Sequence, residues 1–354
     1  MAIYDFERCS VYLVEDNAYI RKVVESLLHG IKFGRVSSAP DGAEAIEFFK
    51  TLHAGARLGG GPAFDVVISD LVMAPINGLL FLRWLRTAKE SPNRFIPFIM
   101  LSGAADTKYV NAARDLGVTE FLSKPFSVTS VYKKILEVID YPRQFVATQS
   151  YFGPDRGRQE KGPPDEDRRK MKSDDITIVY SADKVVKPKD GSDVWYFRLS
   201  NHLKEKVGGM GSGEPGEIPT ALLDEAEEEL ERAALDFTDW AADYLAKLSK
   251  LCDRALEKEG TRSAEFEEIN LLAHELRGQG GTFGYPLITV FGKMLFDVTG
   301  EGCVEDDNAV EIVKAHIDAM RAVIREKVAG DGGKVGRALL KSLEVAIERQ
   351  TKVT

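Results

Sequence analysis

Short apolar runs alternate with longer segments of helical periodicity between residues 10 and 140. The apolar runs fall at residues 11–14, 35–38, 66–69, 98–101 and 120–122. Between them, apolar residues recur at spacings of three and four, which predicts helices at residues 19–28, 43–52, 78–87, 108–116 and 128–139. Strands that alternate with helices of this length are typical of βα units around a parallel sheet. The pattern therefore predicts an α/β domain at residues 1–142, a (βα)5 doubly wound parallel sheet.

The pattern changes after residue 142. Residues 155–175 hold 14 charged residues of 21, seven of each sign, which predicts a linker over residues 143–218. Two strand-like runs inside it, residues 176–180 and 194–199, suggest a β-hairpin with a long loop. Residues 219–354 show helical periodicity throughout, with segments at 220–258, 263–282, 286–298, 307–329 and 334–350. Short connections between long helices predict an all-α helical bundle.

Composition narrows the classes of function. The chain has 354 residues and a net charge of −9, which argues against a nucleic-acid partner. Cys9, Cys252 and Cys303 are far apart, which excludes a disulfide framework and a zinc ribbon. No apolar stretch reaches about 18 residues, and Asp5 and Glu7 stand where a signal peptide has basic residues. The expectation is a cytoplasmic protein without direct membrane contact.

Chemically distinctive residues follow four of the predicted strands. The first run is followed by Glu15 and Asp16, the third ends at Asp70, the fourth at Ser102 and the fifth at Lys124. In an open parallel sheet the carboxyl ends of the strands share one edge, where ligands bind. Crowded carboxylates favour Mg²⁺, and a lysine and a hydroxyl beside the metal suit a phosphoryl group. Each residue alone has an ordinary alternative; Ser102, for example, could be the N-cap of the next helix.

Four segments of the amino-terminal region resemble a known protein family: VYLVEDN, VVISDLVM, IMLSG and EFLSKPF. With them, residues 9–140 resemble a response-regulator receiver domain. The resemblance implies that Asp70 is the phosphoacceptor. It also implies that Glu15, Asp16 and Asp70 hold Mg²⁺ with help from the backbone carbonyl of Val72.

The same resemblance assigns roles around the phosphoryl group. Ser102 would contact the phosphoryl group and move on activation. Lys124 would pair with the acyl phosphate and precede a cis bond to Pro125. Phe121 matches the aromatic switch position, although simple core packing explains a phenylalanine there equally well.

His274 lies within a predicted helix, in the segment LLAHELRGQGGTFGYP. It falls off the apolar stripe of that helix, and its neighbours one and two turns on are Arg277, Gly278 and Gly281. A glycine inside a helix costs about 1 kcal/mol relative to alanine, so several together need a compensating role. Bare backbone beside an imidazole leaves room for a phosphoryl group, and Arg277 can bind its oxygens. The alternative is a helix that ends early, with residues 278–284 as a loop.

A histidine, a basic residue at +3 and glycines at +4 and +10 resemble the motif of histidine phosphotransfer (Hpt) domains. The resemblance covers residues 219–353 and implies a bundle with the active histidine exposed in mid-helix. Arg277 stands where the usual residue is lysine, which preserves the charge. No glycine-rich ATP lid follows His274 in the sequence, so this histidine is interpreted as a relay site rather than a kinase site.

Together these resemblances predict a two-component phosphorelay protein, not an enzyme in its own right. Its partners would be a sensor histidine kinase, another response regulator, or both. The alternative is an interaction module that Asp70 phosphorylation regulates and whose bundle docks or dimerises without phosphotransfer. A Mg²⁺-dependent phosphatase is disfavoured because Val72 stands where a second aspartate would be needed.

Overall fold

The computed structural model describes residues 3–56, 64–103, 107–155, 176–181, 188, 193–208, 215–258 and 261–351. The chain forms two compact units. The first comprises Met1–Leu122 and Val128–Glu229, and the second comprises Ser123–Ser127 and Leu230–Thr354. The charged run at residues 156–175 lies outside the described residues.

A five-stranded parallel sheet forms the centre of the first unit, with strand order β2-β1-β3-β4-β5. This confirms the predicted fold class for the amino-terminal region. Its strands are β1 (Ser10–Val14), β2 (Arg35–Ala39), β3 (Val66–Asp70), β4 (Phe98–Ser102) and β5 (Glu120–Ser123). The helices between and after them are α1 (Ala18–Gly30), α2 (Gly42–Ala56), α3 (Gly78–Thr87), α4 (Thr107–Leu116) and α5 (Val128–Asp140).

The central strands β1, β3 and β4 are buried along their whole length. This explains why they read as continuous apolar runs, since helices cover both faces of such a sheet. One face of the sheet packs an aromatic cluster in which the ring centroid of Tyr12 lies 5.0 Å from those of Phe48, Phe49 and Phe64. The side chains of Asn17 and Asn77 cap α1 and α3, and these caps fix where each helix begins after its strand.

A second, four-stranded sheet follows, with order β7-β6-β9-β8. Its strands are β6 (Phe145–Ala147), β7 (Phe152–Pro154), β8 (Ile176–Val179) and β9 (Val194–Phe197). The hairpin predicted over residues 176–199 is wrong, because β8 and β9 pair in parallel. The other edge of β9 pairs antiparallel with β6. The alternation of residues along a strand carries no information on its direction, so the pattern did not reveal this arrangement.

This second sheet packs against the segment that precedes β4, within the same unit. The ring centroid of Phe95 lies 5.1 Å from each of those of Phe145, Phe152 and Phe197. The short helix α6 (His202–Lys206) follows the sheet, and Lys204 forms an ion pair of 3.0 Å with Asp140 of α5. The described part of residues 143–208 is therefore folded onto the first unit, which differs from the predicted linker.

The second unit is helical. Its boundary with the first, between Glu229 and Leu230, falls inside the long helix α7. The helices are α7 (Thr220–Glu257), α8 (Ser263–Gln279), α9 (Pro286–Val298), α10 (Asp307–Arg325) and α11 (Gly333–Thr351). Pro286 occupies the first turn of α9, where its fixed φ is favourable. The preceding helix, α8, ends at Gln279, before its predicted limit of residue 282.

Hydropathy along the helices bears on membrane contact. Among the described residues, no helix combines the length and the apolar character that crossing a bilayer requires.

Candidate functional site

Three carboxylates meet at the carboxyl edge of the parallel sheet. One oxygen each of Glu15, Asp16 and Asp70 lies within 4.8 Å of the others. The register explains this proximity, since Val14 pairs with Ser69 and the next residues on the two strands are Glu15 and Asp70. Glu15 and Asp70 are buried, whereas Asp16 is exposed. The sheet therefore brings together the three acids that the sequence placed there.

Local hydrogen bonds hold this edge in shape. The Arg21 guanidinium donates to the carbonyl oxygens of Glu15 at 2.6 Å and Asp16 at 3.4 Å, which fixes the turn after β1. At the end of β3, the backbone N–H of Leu71 donates to Asp70 Oδ1 at 2.8 Å. The Asp70 carboxylate is thus oriented by its own backbone, as an acceptor group at a defined position.

Gly78 begins α3 directly against the acidic edge. A Cβ built at this position would lie 2.1 Å from the carbonyl oxygen of Asp70 and 2.9 Å from the sulfur of Met100. The Gly78 N–H also donates to the Leu71 carbonyl at 3.1 Å. The backbone of α3 approaches β3 so closely that only glycine fits without a shift.

We expect Gly78→Ala to destabilise the protein by about 1–3 kcal/mol, because the added methyl must displace backbone rather than a flexible side chain. The same shift moves Asp70, so Mg²⁺ should raise the midpoint of urea unfolding less than in the parent chain. Gly300→Ala is the matched control, since a Cβ there meets its nearest atoms at 3.7 Å. Equal effects of the two substitutions would contradict this account.

Ser102 and Lys124 terminate the neighbouring strands. Ser102 is the last residue of β4 and is buried; β4 pairs with β3 so that Leu101 stands beside Asp70. Because α4 begins five residues later at Thr107, Ser102 is not the cap of that helix. Lys124 directly follows β5, is buried, and precedes a cis bond to Pro125 as expected.

The other predicted residues of this region lie close by in the chain. Val72 follows β3 by two residues and packs, partly buried, against the core of the sheet. Phe121 lies within β5 and is also partly buried against that core. Phe121 therefore combines core contact with partial exposure, an arrangement compatible with both of its sequence interpretations.

His274 lies in α8 but is not exposed. Its side chain is only 6% exposed, and its ring centroid is 5.7 Å from that of Phe296 in α9. The Arg277 guanidinium lies over the Phe296 ring, 5.0 Å from its centroid. The expectation of an exposed mid-helix histidine is therefore wrong for this conformation. The pattern of α8 predicted burial only along its apolar stripe. In the structure, the residues from Ala273 to Gln279 are buried on nearly every face of the helix.

The glycines near His274 have separate structural explanations. A Cβ on Gly280 would lie 2.7 Å from the Tyr285 carbonyl oxygen, and one on Gly281 would lie 2.7 Å from Pro125 Cγ. A Cβ on Gly278 would meet Lys124 Cδ at 3.5 Å, an ordinary van der Waals distance. Gly278 and Gln279 are still helical, so α8 continues one turn past His274; residues 280–284 then form turns, which agrees with most of the loop in the early-ending alternative. Close packing within the second unit accounts for two of the three glycines.

Two buried polar residues were missed by the sequence analysis. Glu275 and Gln279 are 9% and 1% exposed, and Gln279 Oε1 has no hydrogen-bond partner among the described residues. No pattern in the sequence distinguishes them from surface residues, because glutamate and glutamine are common on exposed helix faces.

Comparison with known proteins identifies the class of the domain that is built on the parallel sheet. Residues 11–136 match the family model of the response regulator receiver domain. Together with the parallel sheet, the match makes residues 11–136 a receiver domain, a module of two-component signalling. The matched residues stop short of the helical unit.

Individual relatives match the same part of the chain. The probable transcriptional regulator ycf27 of Porphyridium aerugineum is 30% identical over 129 residues, covering 36% of this chain and 47% of that protein. The crystallised chemotaxis response regulator CheY4 of Vibrio cholerae is 28% identical, covers 37% of this chain and 98% of its own, and gives a TM-score of 0.31. A sensor histidine kinase receiver domain from Pseudomonas aeruginosa PAO1, with magnesium coordinated in its active-site cleft, is 23% identical, covers 36% of this chain and 94% of its own, and gives a TM-score of 0.30. The chain thus spans less than half the length of the ycf27 relative.

Proposed function

We propose that this protein is a two-component phosphorelay intermediate. Its receiver domain accepts a phosphoryl group on Asp70, and its helical unit carries or exchanges one on His274. One observation carries the proposal most directly: Glu15, Asp16 and Asp70 converge within 4.8 Å at the ligand-binding edge of the sheet. The protein would be cytoplasmic, and its partners would be a sensor histidine kinase, another response regulator, or both, with no nucleic acid and no direct membrane contact.

The acidic cluster fits a magnesium ion. Three hard oxygen donors at this separation repel one another, and a divalent cation removes that repulsion. Two of the acids are buried and Asp16 is exposed, which suits an ion that retains several waters. One relative, the sensor histidine kinase receiver domain of Pseudomonas aeruginosa PAO1, coordinates magnesium in its active-site cleft. In this chain Glu15, Asp16 and Asp70 would hold it, with the Val72 carbonyl as a further oxygen donor.

Asp70 would act as the nucleophile. One carboxylate oxygen attacks the phosphorus of a phosphodonor, and the bond from phosphorus to the donor atom breaks with its electron pair retained by the donor. Bound Mg²⁺ supplies neutralisation of the phosphoryl oxygens. Lys124 would pair with the same oxygens, and Ser102 would donate a hydrogen bond to them. Phe121 would change its exposure as the site is loaded.

The role of His274 rests on its motif and on packing within the second unit. An imidazole nitrogen would attack the phosphorus of an aspartyl phosphate, and the carboxylate would leave with its electron pair. The bare backbone at Gly278 stands beside Lys124, which supports close approach of a phosphate-binding group to this helix face. Arg277, one turn from His274, would donate to the phosphoryl oxygens.

A second candidate function is favoured by the burial of His274. A side chain that is 6% exposed must be uncovered before it can meet a separate protein. If it stays covered, the helical unit would act as a docking or dimerisation module that the receiver regulates. In that case the imidazole would serve packing against Phe296.

Labelling of the intact chain tests the phosphoacceptor. With radioactive acetyl phosphate and Mg²⁺, we expect a label that hydroxylamine and base remove, as for an acyl phosphate. Excess EDTA should reduce the labelling rate about tenfold or more, because three carboxylates without a cation repel the incoming phosphoryl group. Labelling that is indifferent to EDTA would argue against the proposed metal site.

Transfer from a phosphorylated receiver tests the relay. A base-stable, acid-labile label on the parent chain, absent in His274→Gln and retained in His29→Gln, would support phosphotransfer. His29 is an exposed histidine at the end of α1 and controls for the loss of an imidazole. If the parent chain takes no base-stable label although Asp70 is labelled, the docking module is the better description.

A further inference from the structure

A cavity of about 710 Å³ lies in the first unit, at the edge of the parallel sheet opposite the acidic cluster. Asp65, Pro97 and Thr119, each of which immediately precedes one of the strands β3, β4 and β5, line one side. Residues 142–145 and 197–203, which belong to the second sheet and its flanking segments, line the other. Its volume is typical of sites that hold small organic ligands.

Aromatic rings form much of the wall. Phe95 lines the cavity together with Phe145 and Phe197, whose ring centroids lie 5.1 Å from its own. Phe64 lies on the side of the parallel sheet, and Tyr180 is largely exposed at the rim. A wall of this kind binds flat aromatic ligands through stacked and edge-to-face contacts.

The charges around the cavity favour an anion. Asp65 is its only lining acid among the described residues, and this carboxylate is already paired with Lys206 at 2.6 Å. Asp65 also accepts hydrogen bonds from the N–H and the hydroxyl of Ser10. Two guanidinium groups, Arg143 and Arg198, line the same cavity, and His202, a further lining residue, faces Glu205 at 3.2 Å. The uncompensated charge is therefore positive.

Arg143 has a donor to spare. Its Nη1 donates to the Thr119 carbonyl at 3.3 Å, and its Nη2 donates to the Asp155 carbonyl. Its Nε is buried and has no hydrogen-bond partner in the described part of the chain. Since this Nε has almost no accessible surface, a ligand in the cavity would meet the guanidinium through the second hydrogens of Nη1 and Nη2. The backbone contacts meanwhile hold the guanidinium in place.

We propose that this cavity binds a small planar aromatic monoanion, with its ring against Phe95 and its charged group on Arg143 and Arg198. The site is separate from the phosphorylation chemistry proposed above and does not depend on it. Aromatic contact alone would accept neutral ligands, and the guanidinium pair supplies the preference for an anion.

The test uses two dyes of nearly equal shape on the full-length protein. One is 8-anilinonaphthalene-1-sulfonate, and the other is N-phenyl-1-naphthylamine, which lacks the sulfonate. We expect saturable one-to-one binding of the anionic dye, measured by fluorescence titration, at least about tenfold tighter than that of the neutral dye. Equal affinity for both dyes would overturn the proposal.

Variants locate the site. Arg143→Gln and Arg198→Gln should each weaken binding of the anionic dye roughly tenfold, while Arg83→Gln, on the exposed face of α3, should not. Ser200→Trp, at an exposed lining position, should block both dyes by filling the cavity. Circular dichroism should show each variant folded; if Arg143→Gln unfolds, the other two substitutions still decide. Binding that survives Ser200→Trp and Arg198→Gln would place the dye elsewhere and refute the assignment.

Discussion

Asp70→Asn should lower phosphoryl uptake from acetyl phosphate by at least about 100-fold, because an amide oxygen is not a competent nucleophile here. Asparagine has nearly the shape of aspartate, and its oxygen can still accept the hydrogen bond that the Leu71 N–H donates at 2.8 Å. The substitution therefore removes the reacting group while leaving the geometry of the acidic edge in place. The measurement is the initial rate of radioactive labelling at saturating Mg²⁺.

A second readout of the same variant has the opposite sign. Removing one of three carboxylates that lie within 4.8 Å relieves repulsion, so the metal-free protein should become more stable by ~1 kcal/mol or more. The stabilisation by Mg²⁺ in urea unfolding should shrink in parallel. Asp239→Asn, at an exposed position of α7, controls for the loss of a charge. Labelling close to the parent rate, or a less stable metal-free protein, would count against the role of Asp70.

Arg86→Ala should destabilise the protein by about 3–5 kcal/mol. Arg86 lies in the last turn of α3 and is almost completely buried, and this burial lowers its pKa to about 9. Its Nε donates to the Gly117 carbonyl at 3.0 Å, and its Nη1 donates to the Arg94 carbonyl at 2.6 Å. The guanidinium also lies 5.2 Å from the centre of the Phe145 ring in the second sheet. Alanine would leave a cavity and two carbonyls without their donors.

Urea unfolding monitored by near-ultraviolet circular dichroism measures this effect. Arg83→Ala, exposed on the same helix, should change the free energy of unfolding by less than about 0.5 kcal/mol. Arg86→Met refills much of the volume but supplies no donor, so it should recover only part of the loss. A loss below about 1 kcal/mol for Arg86→Ala would show that these contacts contribute little.

The parallel sheet could be predicted because its strands are buried on both faces. The apolar runs predicted β1 to β5 to within about one residue at each end, and helix signals such as Pro286 predicted the start of α9. The acids at the sheet edge were also predictable, since Glu15 follows β1, Asp70 ends the adjacent strand β3, and register alone brings them together. The local pattern was sufficient to predict a strand wherever that strand pairs with another strand of the same βα pattern.

The sequence predicted two strands of the second sheet, β8 and β9, but not its other two strands or its pairing, for a physical reason. Strands β6 and β7 contain three residues each, too few for a period of two to be recognised. Their stability comes from long-range contacts, above all those with the ring of Phe95, which lies much earlier in the chain. The direction of β8 relative to β9 is likewise decided by which edges are already paired, not by residue type.

The burial of His274 could not be predicted from the sequence, for a related reason. Its position relative to the apolar stripe of α8 correctly placed it beside Arg277 and Gly278. Its burial depends on residues outside that helix, including Phe296 in α9. A helical pattern describes one face of one helix and carries no information about what covers the other faces.

The contacts of Phe95 limit how this protein can be dissected. A fragment that stops at residue 142, the limit suggested by the βα pattern, would lose all three aromatic partners of Phe95 and the ring beneath Arg86. Such a fragment would expose apolar aromatic surface around Phe95 and leave the Arg86 guanidinium poorly solvated, and both features promote aggregation. Truncations intended to isolate the receiver should therefore retain the chain through Gly208, so that insolubility of a shorter piece is not mistaken for a property of the receiver itself.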